Sequence, residues 1–314
     1  MNKKAAIIAG IAVVGLVGVF AIGGKKEVPQ QDVKASQVVT VQDVNGEKEV
    51  NTNPKTVVTF DYGTLDVLDN MGIEVAGLPK GAIPSSLSKY EDDKYVNLGD
   101  LKEPDFEAIS ELKPDLIIIS GRQEDMYDKF AEIAPTVFLG IDGKQYTEDF
   151  TRNLETLGKI FGKEDFVKEE LANVQKQMDE VKKEVQSKKA NALTVMVNDG
   201  SLSVFSDKSR FGIIYNQLGF ENKDTNIEES KHGQQVTFEY LVEQNPEYIF
   251  VVDRGDATGG ESTAKSLFDN DLVKSTDAYK NGKIVYLSSQ AWYTISGGID
   301  STQVMIDNIK NAIK

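Results

Sequence analysis

The chain has 314 residues, of which 40% are hydrophobic and 27% charged, and its 35 Lys plus Arg against 50 Asp plus Glu give a formal net charge of -15. This composition is typical of a globular chain long enough for two domains, and it excludes a disordered or fibrous protein. The acidic balance excludes nucleic acid as an expected partner, because binding a polyphosphate backbone requires a basic excess.

The residue types that are rare or absent exclude further kinds of functional site. The sequence has no Cys and a single His, His232. Disulfides, thiolate metal sites, thiol nucleophiles and zinc centres built from several imidazoles are therefore excluded. Only four of the 35 basic residues are Arg, the side chain best suited to bidentate recognition of anions, so the places of these four are informative.

The first 24 residues predict an export signal or a transmembrane anchor. Ala5 to Gly24 form 20 uncharged, mostly apolar residues, enough to cross a bilayer core of about 30 Å as a helix. The run is longer than the apolar region of a usual signal peptide, so cleavage after Gly23 and retention as an anchor both stay open. Residues 25–37 are polar and are predicted to form a tether to an extracytoplasmic body.

Beyond the tether, the predicted elements begin with a hairpin. Asn45-Gly46 lies between two strand-like segments, Val38 to Val41 and Glu47 to Val50, and predicts a type I′ turn. Val57 to Phe60 then predict a buried strand, followed by a short helix that ends at Met71-Gly72. A strand followed at once by a helix is typical of α/β proteins.

An internal repeat with an offset of 132 residues organises the rest of the chain. In the first copy Phe106-Glu107 opens a short helix, Pro114-Asp115 marks a turn, and Leu116 to Ile119 form an apolar strand that ends before Arg122. The second copy has the matching segments Phe238-Glu239, Pro246-Glu247, Tyr248 to Val252 and Arg254. The repeat predicts two similar units.

A second, weaker repeat precedes each copy. Leu202 to Phe205, with a helix ending at Leu218-Gly219, match the strand and helix that begin at Val57. Continuous apolar strands that alternate with helices predict parallel sheets covered on both faces. We therefore expect an α/β fold of two Rossmann-like lobes, residues 38–162 and 190–314, with a ligand cleft between them.

One long amphipathic helix, over residues 163–189, is predicted to join the lobes. The chain has no Gly or Pro from Lys163 to Asp199. Apolar residues recur there at intervals of 4, 3, 4, 3 and 4, namely at Val167, Leu171, Val174, Met178, Val181 and Val185. A coiled-coil seam between two chains is the alternative interpretation of the same stripe.

Three of the four arginines fall where the cleft is expected. Arg122 and Arg254 follow equivalent strands and Arg210 lies in the loop after Leu202 to Phe205, whereas Arg152 falls in a predicted helix. Ligands of open α/β sheets bind beyond the carboxyl ends of the strands. Converging guanidiniums would bind an anion despite the acidic total, because distant charges are screened beyond about 8 Å. The alternative is that each Arg ties down a loop through a local carboxylate.

Several segments resemble the helical-backbone (class III) substrate-binding proteins of ABC importers. Phe106 to Ile118 is typical of that class, and further segments are most similar to its petrobactin-type binders of ferric catecholate siderophores: Gly77 to Lys80, Ile119 to Gln123, Lys208 to Gly212, His232 to Gln234 and Asp253 to Gly255. The resemblance covers residues 38–314. Gly23-Gly24 stand where Gram-positive members usually carry a lipid-modified Cys, so a lipid anchor is not expected.

The resemblance implies a non-catalytic protein that binds a ferric catecholate siderophore outside the membrane and delivers it to an ABC permease with its ATPase. In that family a basic triad binds the ligand, which maps onto Arg122, Arg210 and Arg254, with Lys80 as a fourth cation. A ferric tris-catecholate is a trianion with flat rings and suits Arg as a counter-charge and as a stacking partner.

Direct iron ligation is implied at two further positions. In the petrobactin-type binders a His and a Tyr complete the coordination of iron held by an incomplete bis-catecholate, which maps onto His232 and Tyr293. The alternative is a loop hydrogen bond for His232 and packing beside the ligand for Tyr293. Trp292 and Tyr62 are candidate cleft walls, with the core as the alternative place for both.

The resemblance also implies a docking surface for the permease. Glu107 and Glu239 are related by the repeat, and one acidic residue per lobe docks on the permease in that family. Stabilisation of a helix N-terminus by a negative charge explains the same positions without a partner. We expect a monomer that has no permanently bound cofactor, with the iron arriving as part of the ligand.

Two other functions stay open from the sequence. The same fold would hold haem, a corrinoid or a hydroxamate siderophore, although three cleft arginines favour a trianionic complex. An α/β hydrolytic enzyme is the second alternative, but the sequence has no G-x-G-x-x-G loop, Walker A motif, G-x-S-x-G elbow or cysteine nucleophile.

Overall fold

Two β-sheets and a separate hairpin carry the strands of the computed structural model, which describes residues 37–314. The strands are β1 (Val38–Asp43), β2 (Gly46–Asn51), β3 (Val57–Thr59), β4 (Gly77–Leu78), β5 (Val96–Asn97), β6 (Leu116–Ile119), β7 (Thr136–Phe138), β8 (Asn191–Asn198), β9 (Ser201–Phe205), β10 (Glu221–Asn222), β11 (Gln234–Val236), β12 (Tyr248–Asp253) and β13 (Ile284–Tyr286).

The helices lie between and around these strands. They are α1 (Tyr62–Asn70), α2 (Phe106–Leu112), α3 (Tyr127–Ala131), α4 (Tyr146–Phe161), α5 (Glu164–Lys188), α6 (Ile213–Asn216), α7 (Phe238–Gln244), α8 (Arg254–Ala257), α9 (Ala264–Leu267), α10 (Asp271–Ser275), α11 (Asp277–Lys280) and α12 (Ile299–Ala312). Three 3-10 segments, Ser85–Glu91, Gly121–Met126 and Gly143–Gln145, and one π-helical turn, Gln290–Thr294, complete the described chain.

The N-terminal apolar segment and nearly all of the tether lie outside the described residues. Within residues 37–314, no helix is long and apolar enough to cross a membrane.

The hairpin β1–β2 forms with a different turn from the predicted one. Asp43 pairs with Gly46, so Val44 and Asn45 form the loop. A type I′ turn requires a positive φ at both loop residues, but the positive value, 110°, belongs to Gly46. The left-handed residue therefore follows the loop, as in a glycine bulge, and the predicted type I′ turn is wrong.

The first sheet is entirely parallel, in the order β5-β4-β3-β6-β7. Its strand β6 is buried along its whole length. Leu116 and Ile118 pack in one hydrophobic cluster, whereas Ile117 and Ile119 pack in another. Both faces of the sheet are therefore covered, as the unalternating apolar sequence predicts, and the α/β fold is confirmed.

The second sheet has a parallel centre and an antiparallel side. β8, β12 and β13 run parallel, β9 pairs antiparallel with β8, and β11 pairs antiparallel with β9. β8 takes the place that β3 has in the first sheet, because β3 pairs with β6 at Leu116 and β8 pairs with β12 at Tyr248, 132 residues later. The predicted equivalence of Leu202–Phe205 with Val57–Phe60 is therefore wrong, since β9 is an added antiparallel strand.

The long helix α5 buries its apolar stripe inside the chain. Val167, Val174, Met178, Val181 and Val185 are buried, and they share one core cluster with residues of α4 and α12. Because this stripe is covered by the chain's own helices, it offers no seam for a second copy. The coiled-coil interpretation is therefore excluded for the described chain.

The C-terminal helix α12 packs against both α5 and α1. The backbone N–H groups of Asp300 and Ser301, in its first turn, donate to the carboxylate of Asp66 on α1 at 3.1 and 3.0 Å. At its other end, Lys188 of α5 donates to the Ile313 carbonyl. The C-terminal helix α12 is thus fixed to helix α1 of the first lobe.

Candidate ligand-binding site

Three arginines that follow strands meet around one tyrosine. Arg122 lies in the 3-10 segment after β6, and Arg254 opens α8 directly after β12, the strand related to β6 by the repeat. Arg210 lies in the loop between β9 and α6, and Tyr293 lies in the π-helical turn after β13. The carboxyl ends of the parallel strands β6, β12 and β13, from both sheets, therefore supply Arg122, Arg254 and Tyr293, as expected for open α/β sheets. Arg210 reaches the site differently, on the loop after the antiparallel strand β9.

Tyr293 is contacted by all three arginines. The Arg122 Nη2 donates to the Tyr293 backbone carbonyl at 2.8 Å, and the Arg254 Nε donates to the Tyr293 hydroxyl at 3.3 Å. The Arg210 guanidinium carbon lies 4.3 Å from the centre of the Tyr293 ring. The Arg254 Nη1 also donates to Asn198 Oδ1, at the end of β8, at 2.8 Å. Cation–π contact and hydrogen bonds thus hold the guanidiniums close together.

These three guanidiniums lack the partners that structural arginines usually have. Within residues 37–314, none of them lies within salt-bridge distance of a carboxylate. Arg152, by contrast, pairs with Asp149 and donates to the Gly140 carbonyl at 2.8 Å. Arg152 therefore ties down a loop, which is the alternative role considered for every Arg, whereas the other three form no salt bridge with a carboxylate of the described chain.

A recess opens beside the cluster, with about 640 Å³ of space when the volume open to solvent is included. Arg122 and Arg210 line it together with Asp61 and Ser120 of the first lobe and Ser296 of the second. Residues that follow strands of both sheets thus form its walls, as the predicted cleft between the lobes requires. Polar groups that converge on a recess between two lobes are typical of a small-molecule site.

The charge of Arg210 is destabilised in the protein without ligand. Its side chain keeps an exposed surface, but partial burial of the guanidinium lowers the pKa of Arg210; Tyr293 opposes this, and the charges of Arg122 and Arg254 add to it. An anion that entered the recess would relieve this repulsion. The arrangement therefore favours a negatively charged ligand.

Tyr293 has a lowered pKa for a related reason. Burial alone would raise the pKa of Tyr293, but the hydrogen bond from Arg254 and the charge of Arg210 outweigh it. Both cations stabilise the phenolate, the form that binds iron.

Gly143 allows the Arg210 loop to approach the first lobe. A Cβ at Gly143 would clash with the Ser209 carbonyl and with the backbone of Arg210. The absence of a side chain at this position therefore lets the loop that carries Arg210 lie against the 3-10 segment Gly143–Gln145.

Trp292 and Tyr62, the two candidate cleft walls, have different places. Trp292 lines the recess, but it is only 2% exposed, and its indole N–H donates to Asn308 Oδ1 of α12 at 3.1 Å. Tyr62 is 1% exposed and its hydroxyl donates to the Pro79 carbonyl at 3.0 Å. Tyr62 is therefore a core aromatic at the start of α1, and the structure does not place it on the wall of the recess.

Lys80 and His232 do not join the arginine cluster in this structure. The Lys80 Nζ donates to the carbonyls of Glu91 and Asp92 at 3.2 and 2.8 Å, and Lys80 lines a second recess, whose far wall includes Thr258. His232 is exposed on the loop before β11, with its backbone N–H donating to Ser230 Oγ at 3.2 Å. Among the described residues, no group of three or more His, Cys, Asp or Glu side chains is placed to hold a metal ion.

Comparison with known proteins agrees with this fold. Residues 57–291 match the model of the periplasmic binding protein family. The chain belongs to this family. It is similar to the petrobactin-binding protein YclQ of Bacillus subtilis, with 46% identity over 309 residues, 97% of each chain. The crystal structure of YclQ has a TM-score of 0.85 and 47% identity, covering 88% of this chain and 99% of that one.

Two further relatives have related names. The periplasmic catecholate-siderophore binding protein VctP of Vibrio cholerae has a TM-score of 0.84 and 38% identity, covering 88% of this chain and all of that one (100%). The ferric-anguibactin-binding protein FatB of Vibrio anguillarum is 31% identical over 270 residues, 84% of each chain. All three relatives are named as binding proteins for siderophores.

This periplasmic binding protein presents one acidic residue at an equivalent place on each lobe. Glu107 lies in the first turn of α2 and Glu239 in the first turn of α7, and both are exposed. A hydrogen bond from Thr237 lowers the pKa of Glu239. Both carboxylates are thus accessible from the solvent.

Two residues of the site were missed from the sequence. Asn198 accepts the Arg254 hydrogen bond from the end of β8, and Asp61 lines the recess from the N-cap of α1. The strand-like segment from Ala192 to Val197, apolar except for Thr194, would have revealed β8 and hence the place of Asn198. Asp61, between a buried strand and a helix, has the position of an N-cap at a strand end.

Proposed function

We propose that this chain is a non-catalytic extracytoplasmic protein that binds a ferric catecholate siderophore and delivers it to an ABC permease for iron uptake. One observation carries the proposal: three guanidiniums without carboxylate partners converge on the Tyr293 ring. The similarity to a petrobactin-binding protein and to a catecholate-siderophore binding protein supports the same ligand class.

The chemistry of the ligand matches the charges of the site. A ferric catecholate complex is anionic, since each catecholate carries two negative charges, and its flat rings can stack on guanidinium planes. A neutral ferric hydroxamate would leave the three positive charges uncompensated. The site thus favours catecholates over hydroxamates.

The single tryptophan supplies a direct test of this function. Trp292 lines the recess and precedes Tyr293 in the chain. We expect ferric tris-catecholate and bis-catecholate complexes to quench its fluorescence at submicromolar concentration, with far weaker quenching by a ferric hydroxamate or by haem. Quenching by the hydroxamate alone would contradict the proposal.

Tyr293 is proposed as a direct ligand of iron when the siderophore leaves coordination positions open. Its lowered pKa, caused by Arg254 and Arg210 against the effect of burial, supports this role. His232, exposed before β11, stays the predicted second ligand, and its participation requires that loop to move towards the recess.

Replacing Tyr293 by Phe is expected to change the affinity for ferric bis-catecholates much more than the affinity for ferric tris-catecholates. The phenyl ring still packs against Arg210, but the oxygen that binds iron is lost. Affinity for a ferric bis-catecholate should fall about tenfold or more, whereas a tris-catecholate, which fills all positions on iron, should bind nearly as before. Isothermal titration and the phenolate-to-iron absorption band measure both effects.

The exposed Tyr279 supplies a control for this experiment, because it lies on α11, away from the recess. Tyr279→Phe should leave both affinities and the absorption band unchanged. An unaltered band in Tyr293→Phe would show that this oxygen does not bind iron.

Delivery to the permease is proposed to depend on Glu107 and Glu239. Their exposed carboxylates lie at equivalent helix starts on the two lobes, so a two-fold pair of basic pockets would receive them. Glu107→Lys with Glu239→Lys should abolish siderophore-dependent iron uptake, because like charges would then oppose each other at both contacts. Siderophore affinity should stay within about twofold, since the helix starts lie outside the recess.

Glu111 and Glu243 offer a matched control for charge reversal. They lie on the same two helices, are exposed, and are also related by the 132-residue offset. Glu111→Lys with Glu243→Lys should reduce uptake far less. Equal loss in both double variants would mean that overall acidity, rather than the two helix starts, guides docking.

A further inference from the structure

Asp61 places a buried carboxylate beside the arginine cluster. It follows β3 and caps α1, where its Oδ2 accepts hydrogen bonds from the Thr64 backbone N–H at 2.8 Å and from the Thr64 hydroxyl at 2.9 Å. Its residue surface is 8% exposed, and it lines the same recess as Arg122 and Arg210. A carboxyl group thus lies at the wall of a site that otherwise favours anions.

Capping of α1 does not explain why this residue is charged. Asn, Ser and Thr cap helices about as well as Asp, and each would accept the hydrogen bond from Thr64. Burial of a carboxylate also costs free energy that a neutral cap would avoid. What Asp alone adds at this position is negative charge.

The charge balance of the recess depends on this one group. Among the described residues that line the recess, Asp61 is the sole acidic side chain. Burial holds the pKa of Asp61 above its ordinary value, although the hydrogen bond from Thr64 and the charge of Arg122 act in the opposite direction and favour the carboxylate form. Arg122 is therefore close enough to interact with the carboxylate, although the two do not form a salt bridge.

Resting on the proposed function, we propose that Asp61 is a specificity-determining residue that offsets one of the three guanidiniums and so sets which ligand charge the site prefers. Its repulsion of a bound anion grows with the anion's charge, because Coulomb energy is proportional to the product of the charges. Asp61 weakens binding of a trianionic complex more than that of a monoanionic one. The same repulsion assists release of the ligand after delivery.

The experiment measures the affinities of two ferric complexes of different charge for variants in which the N-cap residue of α1 is neutral. Asp61→Asn and Asp61→Ser both keep a side-chain oxygen for Thr64, so helix α1 keeps its cap. With either variant, affinity for the monoanionic ferric bis-catecholate should rise roughly threefold and affinity for the trianionic ferric tris-catecholate roughly 30-fold, as the scaling with charge requires. Asp105→Asn is the control, because Asp105 is an exposed N-cap of α2 that does not line the recess, and it should change neither affinity.

The ratio between the two complexes decides the outcome. A fall in both affinities would show that Asp61 holds Arg122 in place, and an equal change in both would show that its charge does not act on the ligand; either result overturns the inference while leaving the proposed function intact. Failure of the unaltered protein to bind either complex would instead overturn the proposed function, and this inference with it.

Discussion

Replacing Arg210 by Gln is expected to weaken binding of a ferric tris-catecholate by roughly 30- to 150-fold, because a hydrogen bond to a charged partner is worth about 2 to 3 kcal/mol. The Arg210 guanidinium lies 4.3 Å from the centre of the Tyr293 ring and is not paired with a carboxylate within the described chain. Gln keeps a polar but shorter side chain and removes the charge. The loss of affinity should shrink at high salt, where charge contributes less.

Lys208→Gln is the matched control for Arg210→Gln. Lys208 is an exposed cation in the same loop, two residues before Arg210. The substitution Lys208→Gln therefore removes an equal charge near the recess. We expect Lys208→Gln to change affinity by less than about threefold, because Lys208, unlike Arg210, does not line the recess and its charge is screened by solvent. Titration of Trp292 fluorescence measures both variants. Equal losses would mean that the general charge of the loop, and not Arg210 itself, attracts the ligand.

Arg122 and Arg254 could be placed from the sequence because a local rule applies to them. Each follows a buried strand within one repeat, and the carboxyl ends of parallel strands mark the ligand side of such sheets. The structure brings both to Tyr293, as expected. The π-helical turn that presents Tyr293 depends on contacts of Trp292 with α12, far along the chain, so its shape could not be predicted.

Tyr62 and β8 show where sequence patterns are insufficient. Asp61 and Tyr62 both follow the end of β3, and the sequence does not reveal which of the two faces the recess. The hydroxyl of Tyr62 finds its partner at Pro79, in another segment, which places its ring in the core. β8 was missed because the long helix α5 precedes it without a Gly or Pro to mark the boundary, although Lys189 has the left-handed φ of 51° that ends the helix.

Asp66 joins α1 to α12 through a buried carboxylate that is 4% exposed. Its Oδ1 accepts from Asp300 N–H at 3.1 Å and its Oδ2 accepts from Ser301 N–H at 3.0 Å. Burial raises the pKa of Asp66 from its ordinary 3.8 to about 6, although these hydrogen bonds act in the opposite direction. The contact is thus a candidate source of pH-dependent stability.

The sign of that dependence follows from proton binding. Between pH 3.8 and about pH 6 the folded chain holds a proton on Asp66 that the unfolded chain has lost. The free energy of unfolding contributed by Asp66 therefore falls as the pH rises through this window, and it is constant above it. A neutral Asn at this position has no such dependence.

The difference in unfolding free energy between the unaltered protein and Asp66→Asn should decrease by about 2.5 kcal/mol from about pH 4 to about pH 7, since each unit of the raised pKa contributes about 1.4 kcal/mol and part of the titration lies below pH 4. Urea unfolding at a series of pH values measures it. Asp69→Asn is the control, because Asp69 lies three residues further along α1 and pairs at the surface with Lys89, so its effect should stay below about 1 kcal/mol throughout. If the curves of the unaltered protein and Asp66→Asn ran parallel, the carboxylate would not titrate in this window, and the contact between α1 and α12 would be insensitive to pH.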